Sequence, residues 1–89
     1  MRAIITVIGQ DRVGIIATVS RVLADANANI LDISQTILQD YFTMMMLVDL
    51  SNIEVSLDGL RDTLAQEGDV LGVVVKLQHE DIFKSMHRI

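Results

Sequence analysis

The sequence has no cysteine and no proline, only three aromatic residues, and more acid than base. Without cysteine there is no disulfide and no thiolate metal site, and a reducing cytoplasm is the expected address. The longest apolar run, Met44 to Val48, is far short of the ~20 residues that span a bilayer. The apolar stretch after Arg2 is shorter than that of a secretion signal and lacks a small-residue cleavage site. Seven Lys and Arg against twelve Asp and Glu give a net charge of −5. That balance excludes the basic stripe on which nucleic-acid and anionic-membrane binding depends. No Gly/Ser/Pro-rich tract divides the chain, so residues 1–89 read as one domain.

What the chain does have is aliphatic mass: 51% of its 89 residues are hydrophobic. This excludes disorder. A domain of this size buries only about 60–65% of its unfolded surface. Apolar residues are therefore left over, and a contiguous exposed patch marks an interface. Self-association, as a homo-oligomer and first of all a dimer, is expected.

Ala3 to Ile8 is β-branched and apolar on both faces, as in a central strand. Gly9 to Gly14 breaks it. Ile15, Val19, Val22 and Ala26 fall at helical spacing, and Asn27-Ala28-Asn29 ends that helix. Ile30–Leu38 and Tyr41–Leu50 are two strands around Gln39-Asp40, a hairpin with an unfavoured turn pair. Ser51-Asn52-Ile53-Glu54 matches a capping box, opening a helix marked by Ile53, Leu57, Leu60 and Leu64 and stopped by Gly68. Val70–Leu77 reads as a fourth strand with Leu71, Val73, Val75 and Leu77 on one face. The tail, 79–89, carries Ile82, Met86 and Ile89 at helical spacing and reads as a short terminal helix. The order is βαββαβ with a core of about 2–78. With right-handed crossovers this is an α+β, ferredoxin-like fold. Strands one and three are central in a four-stranded antiparallel sheet, with both helices on one face. The bare face is expected to carry Ile30, Asp32, Ser34, Thr36, Tyr41, Thr43, Met45, Leu47 and Val74. It suits a second copy or coverage by the tail.

Ferredoxin-like folds host many functions, so particular residues must decide. Base stacking needs sheet aromatics and basic neighbours, and the aromatics are only Tyr41, Phe42 and Phe83. Gly9 to Gly14 has the outer spacing of a phosphate loop but not its Lys-Ser/Thr. Arg12 sits in that loop, yet Asp11 beside it repels an anion. His79 and His87 are about two turns, ~12 Å, apart on a helix, too far for one metal and readable as surface histidines. No serine stands in a nucleophile elbow. Met44-Met45-Met46 alternates faces as core and interface filler. No catalytic residue, metal or cofactor is expected.

The remaining signal is Gly9-Gln10-Asp11-Arg12-Val13-Gly14-Ile15-Ile16 with Asn29-Ile30 after the first helix. By itself the loop is a tight strand-to-helix turn, with Gly14 for close backbone approach and Asp11 as helix cap. Joined to the βαββαβ order it resembles the ACT domain family, end to end. The G-x-D-R-x-G-I-I start and the N-I-L-D-I second strand resemble the branch around the glycine cleavage repressor. Asp32 to Thr36 and Gln78 to Phe83 resemble small stand-alone ACT proteins of that branch.

That resemblance implies regulation rather than catalysis. ACT domains pair into dimers, often with sheets side by side, and bind amino acids between copies. The positions that match are Asp11, Arg12, Gly14 and Ile15 in the loop and Asn29 and Ile30 at the second strand. Asp11 matches the residue that meets the ligand's polar end, Asn29 the residue that hydrogen-bonds it, and Gly14 the glycine that admits it. Aspartate stands where asparagine is frequent, which suits an ammonium. Output would pass to a separate regulated protein. The alternative is an oligomerising interaction module without a ligand.

Overall fold

The computed structural model describes residues 1–10 and 12–81. Six elements follow in order: β1 (Arg2–Gln10), α1 (Ile15–Asp25), β2 (Asn29–Leu38), β3 (Tyr41–Asp49), α2 (Leu57–Leu71) and β4 (Val73–His79). The sheet order is β2-β3-β1-β4, all antiparallel, with β1 and β3 central as expected. Both helices pack on one face. Ala3, Ile5 and Val7 of β1 and Met44, Met46 and Val48 of β3 meet Val19, Leu23, Leu60 and Leu64 of the helices in an apolar core whose one described aromatic is Phe42. Among the described residues, no polar or charged side chain is buried. Met45, between its two buried neighbours, lies on the opposite face.

Several boundaries move, each for a local reason. β1 runs on through Gly9 and Gln10, because Gly9 admits Val73 so closely that a Cβ would lie 2.6 Å from its Cγ1. The hairpin turn holds at Gln39-Asp40, with Gln39 in the left-handed region at φ 56. Asn27, at φ 62, follows α1 as its asparagine allows. The capping box at Ser51 does not form. The Ser51 backbone N–H and hydroxyl both donate to Asp49 Oδ1, at 3.0 and 2.6 Å. The α2 N-cap is instead Ser56, whose Oγ accepts from Gly59 N–H at 2.9 Å. Gly68 does not stop α2; it is buried against β4, and the helix continues through Val70 and Leu71 until Gly72 turns left-handed at φ 75. β4 therefore starts at Val73, and Leu71 belongs to the helix. His79 closes β4, and the rest of the expected tail helix from Ile82 onward lies outside the described residues.

A β-bulge corrects the bare face. Register shifts between Ile30 and Asp32: Ile30 opposes buried Val48, whereas Asp32 opposes Leu47. Leu31 is the extra residue, so Ile30 points to the helix side and packs against the core. Asp32, Ser34, Thr36 and Leu38 face the bare side. Ile33 and Ile37 oppose Met46 and Phe42 on the helix side, yet remain 42% and 54% exposed. The helix layer stops short of the β2 edge.

The turn after β3 titrates. The Ser51 hydroxyl, then its backbone N–H, holds the Asp49 carboxyl below its ordinary value of 3.8. A carboxylate favoured in the folded state adds stability above the unfolded value and loses it as pH falls toward the lower folded value. Urea titrations between about pH 5 and pH 2.5 should show that loss in the native chain. In Ser51→Ala it should be smaller; an equally steep acid limb would mean that the hydroxyl is not its source.

Candidate functional site

α1 is the element that carries the loop. Its stripe of Ile15, Val19, Val22 and Leu23 is buried, which fixes the position of its N-terminus. Gly14 is the N-cap, at φ 94, and among the described residues no side chain caps the helix. The N–H groups of the first turn, which no described side chain caps, carry the positive end of the helix dipole. Among the described residues, no atom beyond Gly14's own chain neighbours and helix backbone lies within 4 Å of where a Gly14 Cβ would stand. Close backbone approach is therefore not why glycine is present. The left-handed φ is the reason, and no described residue fills the space beside it.

The other matched positions separate. Arg12 reaches away from the loop: its Nη1 donates to the Leu71 carbonyl at 2.9 Å, capping the end of α2 where a cation opposes the dipole. The Ile15 side chain is buried, so only its backbone can face outward. Asn29 is exposed at the start of β2, opposite Asp49, and Ile30 packs inward. Asp11 lies outside the described residues.

The sheet does not bring Asn29 and the loop to one edge within a chain. Gln10 pairs with Tyr41 and Tyr41 with Leu38 at one end; Arg2 pairs with Asp49 and Asp49 with Asn29 at the other. At ~3.3 Å per residue, the ends of β3 are about 26 Å apart. One small ligand cannot touch both in the same copy.

The two sheet edges differ. Along β4, Arg61 Nε and Nη2 donate to the Leu77 carbonyl at 3.4 and 3.3 Å, obstructing strand addition. The ten-residue β2 edge has no such cover among the described residues, has no lysine, and is flanked by exposed Ile33, Ile37 and Leu38. Such an edge is a template for pairing.

The sequence pattern did not reveal a groove of about 490 Å³ between α1 and α2. Val22, Ala26 and Leu60 line it, and Arg21 and Glu67 face each other across it at 3.6 Å. Gly59, Thr63 and Glu67, four residues apart on α2, were its readable trace. Among the described residues, no cluster of three His, Asp or Glu could hold a metal ion. His79 Nδ1 instead accepts from the Asp81 N–H at 3.1 Å. No described helix is long and apolar enough to cross a membrane.

Residues 2–78 match the sequence profile of the ACT domain. A UPF0237 protein of Methanocaldococcus jannaschii is 59% identical over 88 residues, 99% of this chain and 98% of that protein. An ACT domain protein from Streptococcus pneumoniae superimposes with a TM-score of 0.80 at 44% identity, covering 94% of each chain. A protein named as a glycine cleavage system transcriptional repressor gives a TM-score of 0.75 at 26% identity, over 86% of this chain and 44% of that one.

Proposed function

The chain belongs to the ACT domain family, and on that premise we propose that it is a non-catalytic regulatory domain. It binds a small amino acid or related metabolite between two copies and signals to a separate protein. The observation that carries this reading is the opposition of the loop and Asn29 at the two ends of the sheet. Pairing two β2 edges antiparallel about a two-fold axis sets Asn29 of the partner subunit level with the Gly14 loop of the first. Each dimer then has two identical sites, and neither exists in a single copy. The ligand's carboxylate is drawn to the N–H groups at the start of α1, which no described side chain caps, and the space beside Gly14 that no described residue fills admits it. Asp11 supplies the counter-charge for its ammonium. A zwitterion with a small body satisfies both demands.

The test begins with thermal shifts against the twenty amino acids, since a ligand at ~100 times its dissociation constant adds about 2.7 kcal/mol. Asp11→Ala and Asn29→Ala should each weaken the binding that is found by about ten- to a hundredfold. Mixing the two variants is decisive. A heterodimer pairs an intact loop with an intact Asn29 at one of its two sites, so about a quarter of all sites should recover full affinity. No recovery, or weaker folding with intact affinity in both variants, would place the ligand elsewhere. Flat melting curves for every amino acid would favour an oligomerising module without a ligand.

A further inference from the structure

The groove between α1 and α2 has no part in the proposed amino-acid site. α2 packs on β4 and α1 reaches β2, so the groove lies over the middle of the sheet and stays open when two β2 edges pair. Its floor is apolar, formed by Val22, Ala26 and Leu60, which also belong to the core. Gly59 has no side chain to fill it, and the Thr63 hydroxyl is turned back to the Gly59 carbonyl at 2.9 Å. The surroundings are acidic. α1 and α2 together carry five carboxylates and two guanidiniums. Both guanidiniums are already paired, Arg21 with Glu67 at 3.6 Å and Arg61 with Asp58 at 3.2 Å. Asp25 on the groove wall, and Asp62 and Asp69 exposed on α2, have no partner among the described residues. We propose that the groove takes a basic amphipathic helix of the separate protein that this domain regulates. Two helices side by side offer a third a seat at an interaxial distance of about 8–10 Å. From Gly59 to Glu67 the groove runs about 12 Å along α2, a little over two turns. That length fits aliphatic anchors at i, i+4 and i+7 of the incoming helix. Lysine or arginine beside the anchors meets Asp25 and Asp62, whereas an acidic helix meets unpaired carboxylates and is repelled. The identity of the occupant rests on the regulatory reading above, but not on the amino-acid site.

The probe is an amidated peptide of about 15 residues, long enough to hold a helix, with leucines at i, i+4 and i+7 and lysines flanking them. Its controls are a scrambled peptide of the same composition and a counterpart with glutamate for each lysine. In fluorescence anisotropy without added amino acid, the lysine peptide should bind at least about tenfold tighter than either control. Thr63→Trp, at an exposed position, fills the groove. It should weaken that binding at least about tenfold, while the mass from light scattering stays native. Binding no tighter than that of either control, or an unchanged affinity in Thr63→Trp, would overturn the proposal. A lower mass in Thr63→Trp would overturn it too, by assigning the groove to a second copy. If Thr63→Trp does not fold, Asp25→Lys reads the same contact. The preference for lysine over glutamate should then shrink at least about threefold, and an unchanged preference would overturn the proposal. Failure here beside a ligand found by thermal shift removes only the helix partner. Flat melting curves beside a groove that binds the peptide remove only the amino acid.

Discussion

Gly68→Val is expected to lower folding stability by about 3 kcal/mol, the upper end of the over-packing range. Gly68 is where α2 touches the sheet. A Cβ there would lie 2.8 Å from Val75 Cγ2 and 2.9 Å from the Val73 carbonyl oxygen. The methyl group can rotate away, but the backbone oxygen can move only with β4. Glycine in a helix interior costs about 1 kcal/mol relative to alanine, and here that cost secures a helix–strand contact no other residue permits. Gly59 provides the contrast. Its added Cβ would meet only Ser56 Oγ, at 2.9 Å. The gain in helix propensity in Gly59→Ala and the strained N-cap should then nearly cancel, each being about 1 kcal/mol. Urea midpoints at constant slope measure both variants. Equal losses at the two positions would show that the tight approach at Gly68 is not what makes it sensitive.

Ile33→Lys combined with Ile37→Lys is expected to separate the copies without unfolding either. Both side chains flank the β2 edge and are about half exposed in one chain, so each lysine can reach water in the monomer. In a paired edge the same ammonium groups are buried without partners, a penalty of about 3–5 kcal/mol for an uncompensated charge. Association should weaken by at least about a hundredfold. Light scattering at micromolar concentration should give about twice the chain mass of 9.9 kDa for the native protein and the chain mass for the variant. A variant that keeps the native mass would move the interface away from β2. Because the proposed site is shared between copies, this variant should also lose ligand-induced stabilisation.

Much of the fold is local in origin and therefore legible. Alternation in Tyr41–Asp49 puts Phe42, Met44, Met46 and Val48 on one face whatever lies opposite, and the structure buries those four. The stripe through Val19, Val22 and Leu23 likewise assigns the inner face of α1 from helical spacing. Where a residue had two partners to choose from, the sequence was ambiguous. Ser51 had the pattern of a helix cap, but Asp49, two residues back, took its hydroxyl and N–H. Gly68 had the composition of a stop signal, yet a glycine ends a helix only where φ turns positive, as at Gly72.

The candidate site divides along the same line. The sequence by itself determined the βαββαβ order, the apolar core, the ACT-type loop and the chemical character of Asp11, Gly14 and Asn29. Periodicity, charge and motif are properties of neighbours along the chain. Only the tertiary structure decided that Arg12 serves the end of α2, that a bulge at Leu31 turns Ile30 inward, and that Asn29 and the loop stand at opposite ends of the sheet. Each depends on strand register or on a carbonyl dozens of residues away. A one-residue slip exchanges the two faces of a strand without altering a single local preference.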